Sequence, residues 1–233
     1  MLEAIGVASF DQLLEIPSEF RLNRPLNLPQ PLSQMALKRE MLALSRKNRD
    51  TSSTLSFLGG GSYDHFIPST VDHVIRRSEF YTAYTPYQAE LSQGLLQTIY
   101  EYQTMICQLT DMEVSGASLY DGASALAEAA LMAIRLTKRG KVLVAKSVHP
   151  HHRQVISTYL SGLPEADVME IPVEAGRLSL QSLESMMDET VAAVLVQHPN
   201  FFGQLEAIEE IEAIVHGKGG LFVMGVDPIS LGV

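Results

Sequence analysis

The stretch SLYDGASALAEAALMAIRLTKRGKVLVA, residues 118–145, decides how the chain is read. GASLY (116–120) reads as a short strand. A helix is expected from about Ala123 to Arg139, and KVLVA (141–145) then reads as a strand of the fully buried kind. Gly122 sits between strand and helix, and Ser124 falls in the first helical turn. Free backbone N–H groups, the positive end of a dipole and a small hydroxyl suit an anion at such a place. The same residues suit an ordinary tight turn with an N-cap, because Gly, Asp and Ser favour both. The two readings stand side by side.

Toward the C-terminus the alternation continues. HPHHRQVISTYLSG (149–162) reads as a helix, ADVMEIPV (166–173) as a strand and SLQSLESMMDE (179–189) as a helix with Leu183, Met186 and Met187 inward. VAAVLVQ (191–197), QLEAIEEIEAIVHGKG (204–219) and GLFVMGV (220–226) follow as strand, helix and strand. Strands with solid β-branched runs, separated by helices, imply an α/β fold: a mostly parallel sheet with helices on both faces.

Toward the N-terminus the pattern is looser. EIPSEFRLNRPLNLPQPLSQ (15–34) cannot form one regular element, since each Pro lacks an N–H and fixes φ. LSQMALKREMLALSRKN is expected as a helix capped by Ser33, with Leu37, Met41 and Leu44 on one face. FLGGGSYDHFIPSTVDHVIRR (57–77) holds three consecutive glycines that permit positive φ or close approach, and Ser69 with Asp72 reads as a capping box. In TAYTPYQAELSQGLLQTIYEYQTMICQLTDME (82–113), Thr85, Pro86 and Gln88 read as the start of a long amphipathic helix. Leu91, Leu95, Thr98, Tyr102, Met105 and Leu109 form its apolar face, and close packing is the expected reason for Gly94. The division is placed at 1–80, helical and irregular, and 81–233, the first part of an α/β domain.

Composition bounds the function. The chain has 233 residues, 46% of them hydrophobic and 19% charged, with a net charge of −10. This is a globular composition that disfavours a nucleic-acid partner. The single cysteine, Cys107, allows no internal disulfide and fits a reducing, cytoplasmic setting as buried filler. No apolar run approaches membrane-spanning length, and the N-terminus does not read as a secretory signal.

In a parallel sheet of this kind ligands bind beyond the carboxyl ends of the strands. Those ends carry Asp121, Gly122, Ala123 and Ser124, then Ser147 and His149, then His198, Pro199 and Asn200, then Asp227. A hydroxyl at a helix N-terminus, an imidazole and an acid at a strand end make up a pyridoxal phosphate site: helix end to phosphate, His on the ring, Asp to the ring nitrogen. Against this, the histidines 149–152 also read as surface residues of a helix start and Asp227 as a turn residue before Pro228. A metal reading of the histidines lacks a carboxylate or Cys at ligand spacing, so no metal is expected.

The stretch from FLGGGSYDHFIPSTVDHVIRRSEFYTAYTPYQAELSQ through MICQLTDMEVSGASLYDGASALAEAALMA, with VQHPNFFGQLE and GLFVMGVDPISLGV, closely resembles the two-subunit bacterial and archaeal glycine dehydrogenase (decarboxylating), the P-protein of the glycine cleavage system, on its subunit 1 side. The resemblance covers essentially the whole chain. Family members carry a long region after the motif like VDPISLGV, so a fragment or truncated product is expected. The resemblance implies a fold-type-I pyridoxal enzyme, incomplete here at the C-terminus. It implies an aminomethyl-transferring glycine dehydrogenase that decarboxylates glycine, passes the aminomethyl group to the lipoyl arm of the H-protein, and works as a heterotetramer with subunit 2. The cofactor-bearing lysine resembles a feature of subunit 2. All six lysines here, Lys38, Lys47, Lys138, Lys141, Lys146 and Lys218, precede Asp227, whereas in this fold the lysine follows that position. No cofactor is therefore expected on this chain alone, and Gly122, Ala123, Ser124, His149, Asn200 and Asp227 become vestiges of a cofactor site. The resemblance also places the segment from Phe57 to Glu90 near the subunit interface. Tyr84, Thr85, Tyr87, Glu90 and His65 are the candidates for lining the partner's site; capping and packing of the long helix is the competing role for the first four. Two other classes stay open: part of a self-sufficient aminotransferase or amino-acid decarboxylase, and a non-catalytic scaffold subunit.

Overall fold

The computed structural model describes residues 1–14, 16–61 and 63–232. The chain divides into two compact units, residues 1–57 and 58–233. The boundary expected near residue 80 lies within the second. In the first unit, α1 (Leu2–Ile5) ends on Gly6 in the left-handed region, and α2 (Gln34–Ser45) is capped as expected: Ser33 Oγ accepts from the Ala36 N–H at 3.3 Å.

The second unit opens with α3 (Ser69–Ile75) and α4 (Ser78–Tyr81). The capping box expected at α3 does not form. Pro68 holds the cap position without a side-chain bond, and Asp72 instead reaches Arg76 one turn on, at 2.9 Å. The long helix, α5 (Gln93–Thr110), starts eight residues after Thr85. Thr85, Pro86 and Gln88 therefore cap nothing; residues 83–87 have no regular structure and lead into a turn. The half-buried side of α5 carries Leu95, Leu96, Ile99, Ile106 and Cys107, whereas Leu91, Met105 and Leu109, expected inward, are exposed. Close packing does not account for Gly94 either, since a Cβ there would meet only open space.

GASLY is no strand in the structure; residues 116–120 are irregular and lead into α6 (Gly122–Thr137). From there the expected alternation is observed: β1 (Lys141–Ala145), α7 (Pro150–Leu160), β2 (Asp167–Ile171), α8 (Leu180–Met186), β5 (Val191–His198), α9 (Ile208–Gly217) and β6 (Leu221–Val226). Between β2 and α8 a small hairpin intervenes, β3 (Val173–Glu174) and β4 (Arg177–Leu178). Its turn residues Ala175 and Gly176 both have positive φ, as a tight two-residue hairpin turn requires.

The main sheet has the order β2-β1-β5-β6 and every pairing is parallel. β1 from Val142 to Ala145 and β5 from Val191 to Val196 are fully buried, because helices cover both faces. α6 carries Ala123, Ala127, Ala130 and Ala133 on its buried side, small enough for close approach to β5 and β6. Right-handed crossovers fix the layers. The chain leaves β1 through α7 for β2 on one side, then returns through α8 to β5 and through α9 to β6. α7 therefore joins α6 on one face, and α8 joins α9 on the other. The direction reverses between β1 and β5, which opens a crevice at their carboxyl ends.

Candidate functional site

The crevice is where the sequence places its candidates. A cavity of about 890 Å³ lies there, between the start of α6 and the ends of β1, β5 and β6. Gly122 from α6, His149 after β1, Gln197 of β5, Pro199 just after it and Asp227 after β6 reach it, together with Gly60, Gly61, Tyr63 and His65.

The α6 turn is a complete capping box. Asp121 Oδ1 accepts from the Ser124 N–H at 2.7 Å and from the Ser124 hydroxyl at 2.6 Å, and Ser124 Oγ accepts from the Asp121 N–H at 3.2 Å. The Ser124 hydroxyl, followed by its N–H, holds the Asp121 carboxyl below the usual carboxylate range. A fixed negative charge thus occupies the positive end of the helix, where a phosphate would otherwise be held.

His149 is held on all sides. Its N–H donates to Gln197 Oε1 at 2.9 Å and ties the ends of β1 and β5 across the switch point. Its Nδ1 accepts from the His151 N–H at 3.1 Å, which leaves the proton on Nε2; that nitrogen donates to the Gly60 carbonyl at 2.9 Å. The ring stacks on His152 at 4.9 Å and meets Phe201 edge-on at 4.9 Å. Burial, and then the neighbouring His149, lower the pKa of His152, whose Nδ1 is buried without a partner among the described residues. No group of three or more His, Cys, Asp or Glu among the described residues is placed to hold a metal. Asp227 Oδ1 takes the Ile229 N–H at 3.0 Å, and Oδ2 faces His65 Nε2 at 3.6 Å, an ion pair when His65 is protonated.

Other strand-end residues turn away from the cavity. Asn200 and Ser147 are fully buried and converge on Glu206, which sequence reasoning missed. Glu206 Oε1 accepts from Ser147 Oγ at 2.6 Å and Asn200 Nδ2 at 2.8 Å, and Oε2 accepts from the Leu178 N–H at 2.9 Å. Asn200 Nδ2 also reaches the Gly176 carbonyl at 2.9 Å, and its Oδ1 takes the N–H groups of Phe202 and Gln204. His198 Nδ1 accepts from the Glu206 N–H at 3.2 Å. Asn200 is therefore a clamp for the segment 199–206 and not a cavity-lining group. The peptide between His198 and Pro199 is cis. The only sequence sign of this network was that Ser147, Asn200 and Glu206 all follow strands.

Tyr84, Thr85, Tyr87 and Glu90 lie outside this cavity. They sit on the exposed run before α5, where Tyr84 and Tyr87 meet edge to face at 6.2 Å. His65 is the one candidate from that part of the chain that the fold brings to the crevice.

Tested against pyridoxal phosphate, these residues fit poorly. Both groups that Ser124 would offer a phosphate are committed to Asp121, whose own charge opposes an anion. No Lys or Arg is among the described residues lining the cavity. His149 and Asp227, suited by type to a ring and its nitrogen, are engaged by Gly60 and His65.

The chain matches the family model of the glycine cleavage system P-protein over residues 1–233. It is 54% identical, over its whole length, to a probable glycine dehydrogenase (decarboxylating) subunit 1 of Carboxydothermus hydrogenoformans, and 52% identical to that of Anoxybacillus flavithermus. It spans 52% of each of these relatives. A crystal structure of glycine decarboxylase (P-protein) of the glycine cleavage system, in inhibitor-bound form, superposes with a TM-score of 0.86 at 44% identity, covering all of this chain and 52% of that one. A cysteine desulfurase of Thermococcus onnurineus, at 18% identity and a TM-score of 0.51, shares the fold over 72% of this chain and 42% of its own. The parallel sheet, its crevice and the match over every residue lead to one conclusion: the chain belongs to the glycine cleavage system P-protein family, with the fold-type-I architecture expected from its sequence.

Proposed function

We propose that this chain is part of subunit 1 of a cytoplasmic glycine-decarboxylating complex, in which a second subunit holds pyridoxal phosphate and the cofactor-bearing lysine. The complex releases carbon dioxide from glycine and passes the remaining aminomethyl group to the lipoyl arm of the H-protein. This subunit contributes walls to the partner's site. Gly59–Gly61, His65 and the exposed run with Tyr84, Thr85, Tyr87 and Glu90 are the segments offered for it. The observation that carries the reading is the Asp121–Ser124 capping box: the N–H and hydroxyl that Ser124 would offer an anion are both taken by the Asp121 carboxylate. The relatives named subunit 1 support a complex of more than one subunit.

The test is reconstitution of the full-length subunit with its partner and lipoylated H-protein. Glycine–bicarbonate exchange should require both subunits. Borohydride reduction followed by mass spectrometry should place the cofactor adduct on a lysine of the partner. A stoichiometric adduct on a lysine of this chain would overturn the proposal.

A further inference from the structure

We infer that the former cofactor pocket has become an anchorage for the glycine run, with His149 as its positioning residue. The glycines approach the pocket in a form that only glycine adopts readily. Gly59, Gly60 and Gly61 have φ of 60°, 68° and 89°, three consecutive left-handed residues. Gly61 is also pressed against the imidazole: a Cβ there would lie 3.2 Å from His149 Cδ2. Among the described residues, the polar bond at this contact runs from His149 Nε2–H to the Gly60 carbonyl at 2.9 Å.

The other bonds of His149 explain why it can hold a chain segment in place. Its backbone N–H, Nδ1 and ring faces are engaged by Gln197, His151, His152 and Phe201, so the ring orientation and tautomer are both set. Nε2–H is the group left to present to a partner, and it is aimed at Gly60. Farther along, His65 faces Asp227 at 3.6 Å. The two side chains whose types suit a cofactor ring thus hold two points of the same stretch of chain.

The anchor stands on this geometry alone; its effect on turnover rests on the proposed role of the glycine run as a wall of the partner's site. The experiment compares His149→Phe and His149→Gln in the full-length reconstituted complex. Phe keeps the aromatic packing and removes the donor, whereas Gln places an N–H near the Nε2 position. Chymotryptic cleavage beside Tyr63 and Phe66 should speed up about fivefold in His149→Phe, the loss of one hydrogen bond holding the segment to the crevice. It should return to within about twofold of wild type in His149→Gln, on the same scale. Wild-type cleavage rates in the Phe variant, or no rescue by Gln, would overturn the anchor whatever the kinetics. If the glycine run walls the partner's site, kcat/KM for glycine falls in His149→Phe and recovers in His149→Gln. Faster cleavage with unchanged kinetics would overturn that wall and leave the anchor standing.

Discussion

Replacing Glu206 by Gln tests whether the buried network at the strand ends holds the second unit together. The carboxylate accepts three hydrogen bonds, two on Oε1 from Ser147 and Asn200 and one on Oε2 from Leu178. Gln offers one acceptor oxygen and one NH₂. With its oxygen toward Ser147 and Asn200, the NH₂ meets the Leu178 N–H, donor against donor. Turned over, it meets the Asn200 amide in the same way. Either orientation leaves a buried N–H without an acceptor, a loss of roughly 1–3 kcal/mol. The remaining bonds also lose their charge assistance. Removal of a buried charge with no cation beside it offsets part of this, so a net destabilisation of about 2 kcal/mol is expected. For a unit of this size that is roughly 4–8 °C in the thermal midpoint. The chain has no Trp, so far-UV circular dichroism of the full-length subunit is the suitable readout. A shift below about 1 °C would mean that the three donors find other partners at no cost, and the clamp as described would be wrong.

Further outcomes follow from other contacts. A Cβ at Gly225 would lie 3.4 Å from both methyl carbons of Leu126, so Gly225→Val should cost about 1–3 kcal/mol by overpacking α6 against β6 while Gly225→Ala is tolerated; equal midpoints for Val and wild type would contradict this. Hydrogen bonds from the Thr190 hydroxyl first, then Lys141, hold Asp188 at about 2, below the ordinary Asp value of 3.8. Because the folded value is the lower one, the stabilisation is present above 3.8 and is lost as the pH falls through about 2. The stability difference between wild type and Asp188→Asn should therefore shrink over that window, and a pH-independent difference would refute the assignment. β6 is an apolar strand at the end of the sheet with one edge unpaired among the described residues, so the 233-residue chain alone should self-associate. A monodisperse monomer by light scattering would refute that.

The α/β alternation from α6 onward was legible because its strands are solid apolar runs and its helices have a clear 3.6-residue period. Both signals are imposed by burial on two faces or one. The errors lie where local patterns had no tertiary support. Thr85-Pro86 has the chemistry of a helix start, yet a turn over residues 88–92 intervenes and α5 begins at Gln93 after Ser92 in the left-handed region. GASLY has strand-like residues but no neighbouring strand to pair with. α5 is apolar on two sides, so periodicity alone could not tell which faces the rest of the unit. In the crevice, residue types were legible and bonding partners were not. The sequence leaves the Gly122–Ser124 turn open between an anion site and an N-cap, and carries no sign that Glu206, 59 positions after Ser147, accepts its hydroxyl.

The same strand ends serve two demands, and the structure separates them by the direction in which each side chain turns. Ser147, Asn200, His198 and Glu206 turn inward and join β1, the β3–β4 hairpin and the segment after β5. His149, Gln197 and Asp227 turn toward the cavity. The two sets meet through Phe201, whose N–H donates to the Ser147 carbonyl at 2.8 Å while its ring packs edge-on against His149. A fault in the inward set therefore has a defined route to the cavity: loss of Glu206 loosens segment 199–206, Phe201 shifts, and His149 loses one of the supports that aim Nε2 at Gly60. A change in the Asp227 side chain lacks this route, since its carboxylate meets the Ile229 N–H and His65, while its bonds to His198 and Ser230 are made by the backbone. Glu206→Gln should accordingly disturb both stability and the glycine run. Asp227→Asn, which keeps its backbone bonds, should disturb the glycine run near His65 with little change in the thermal midpoint. Chymotryptic cleavage beside Tyr63 and Phe66, read beside thermal unfolding, separates the two variants. A large loss of stability in Asp227→Asn would show that the outward set is also part of the core framework.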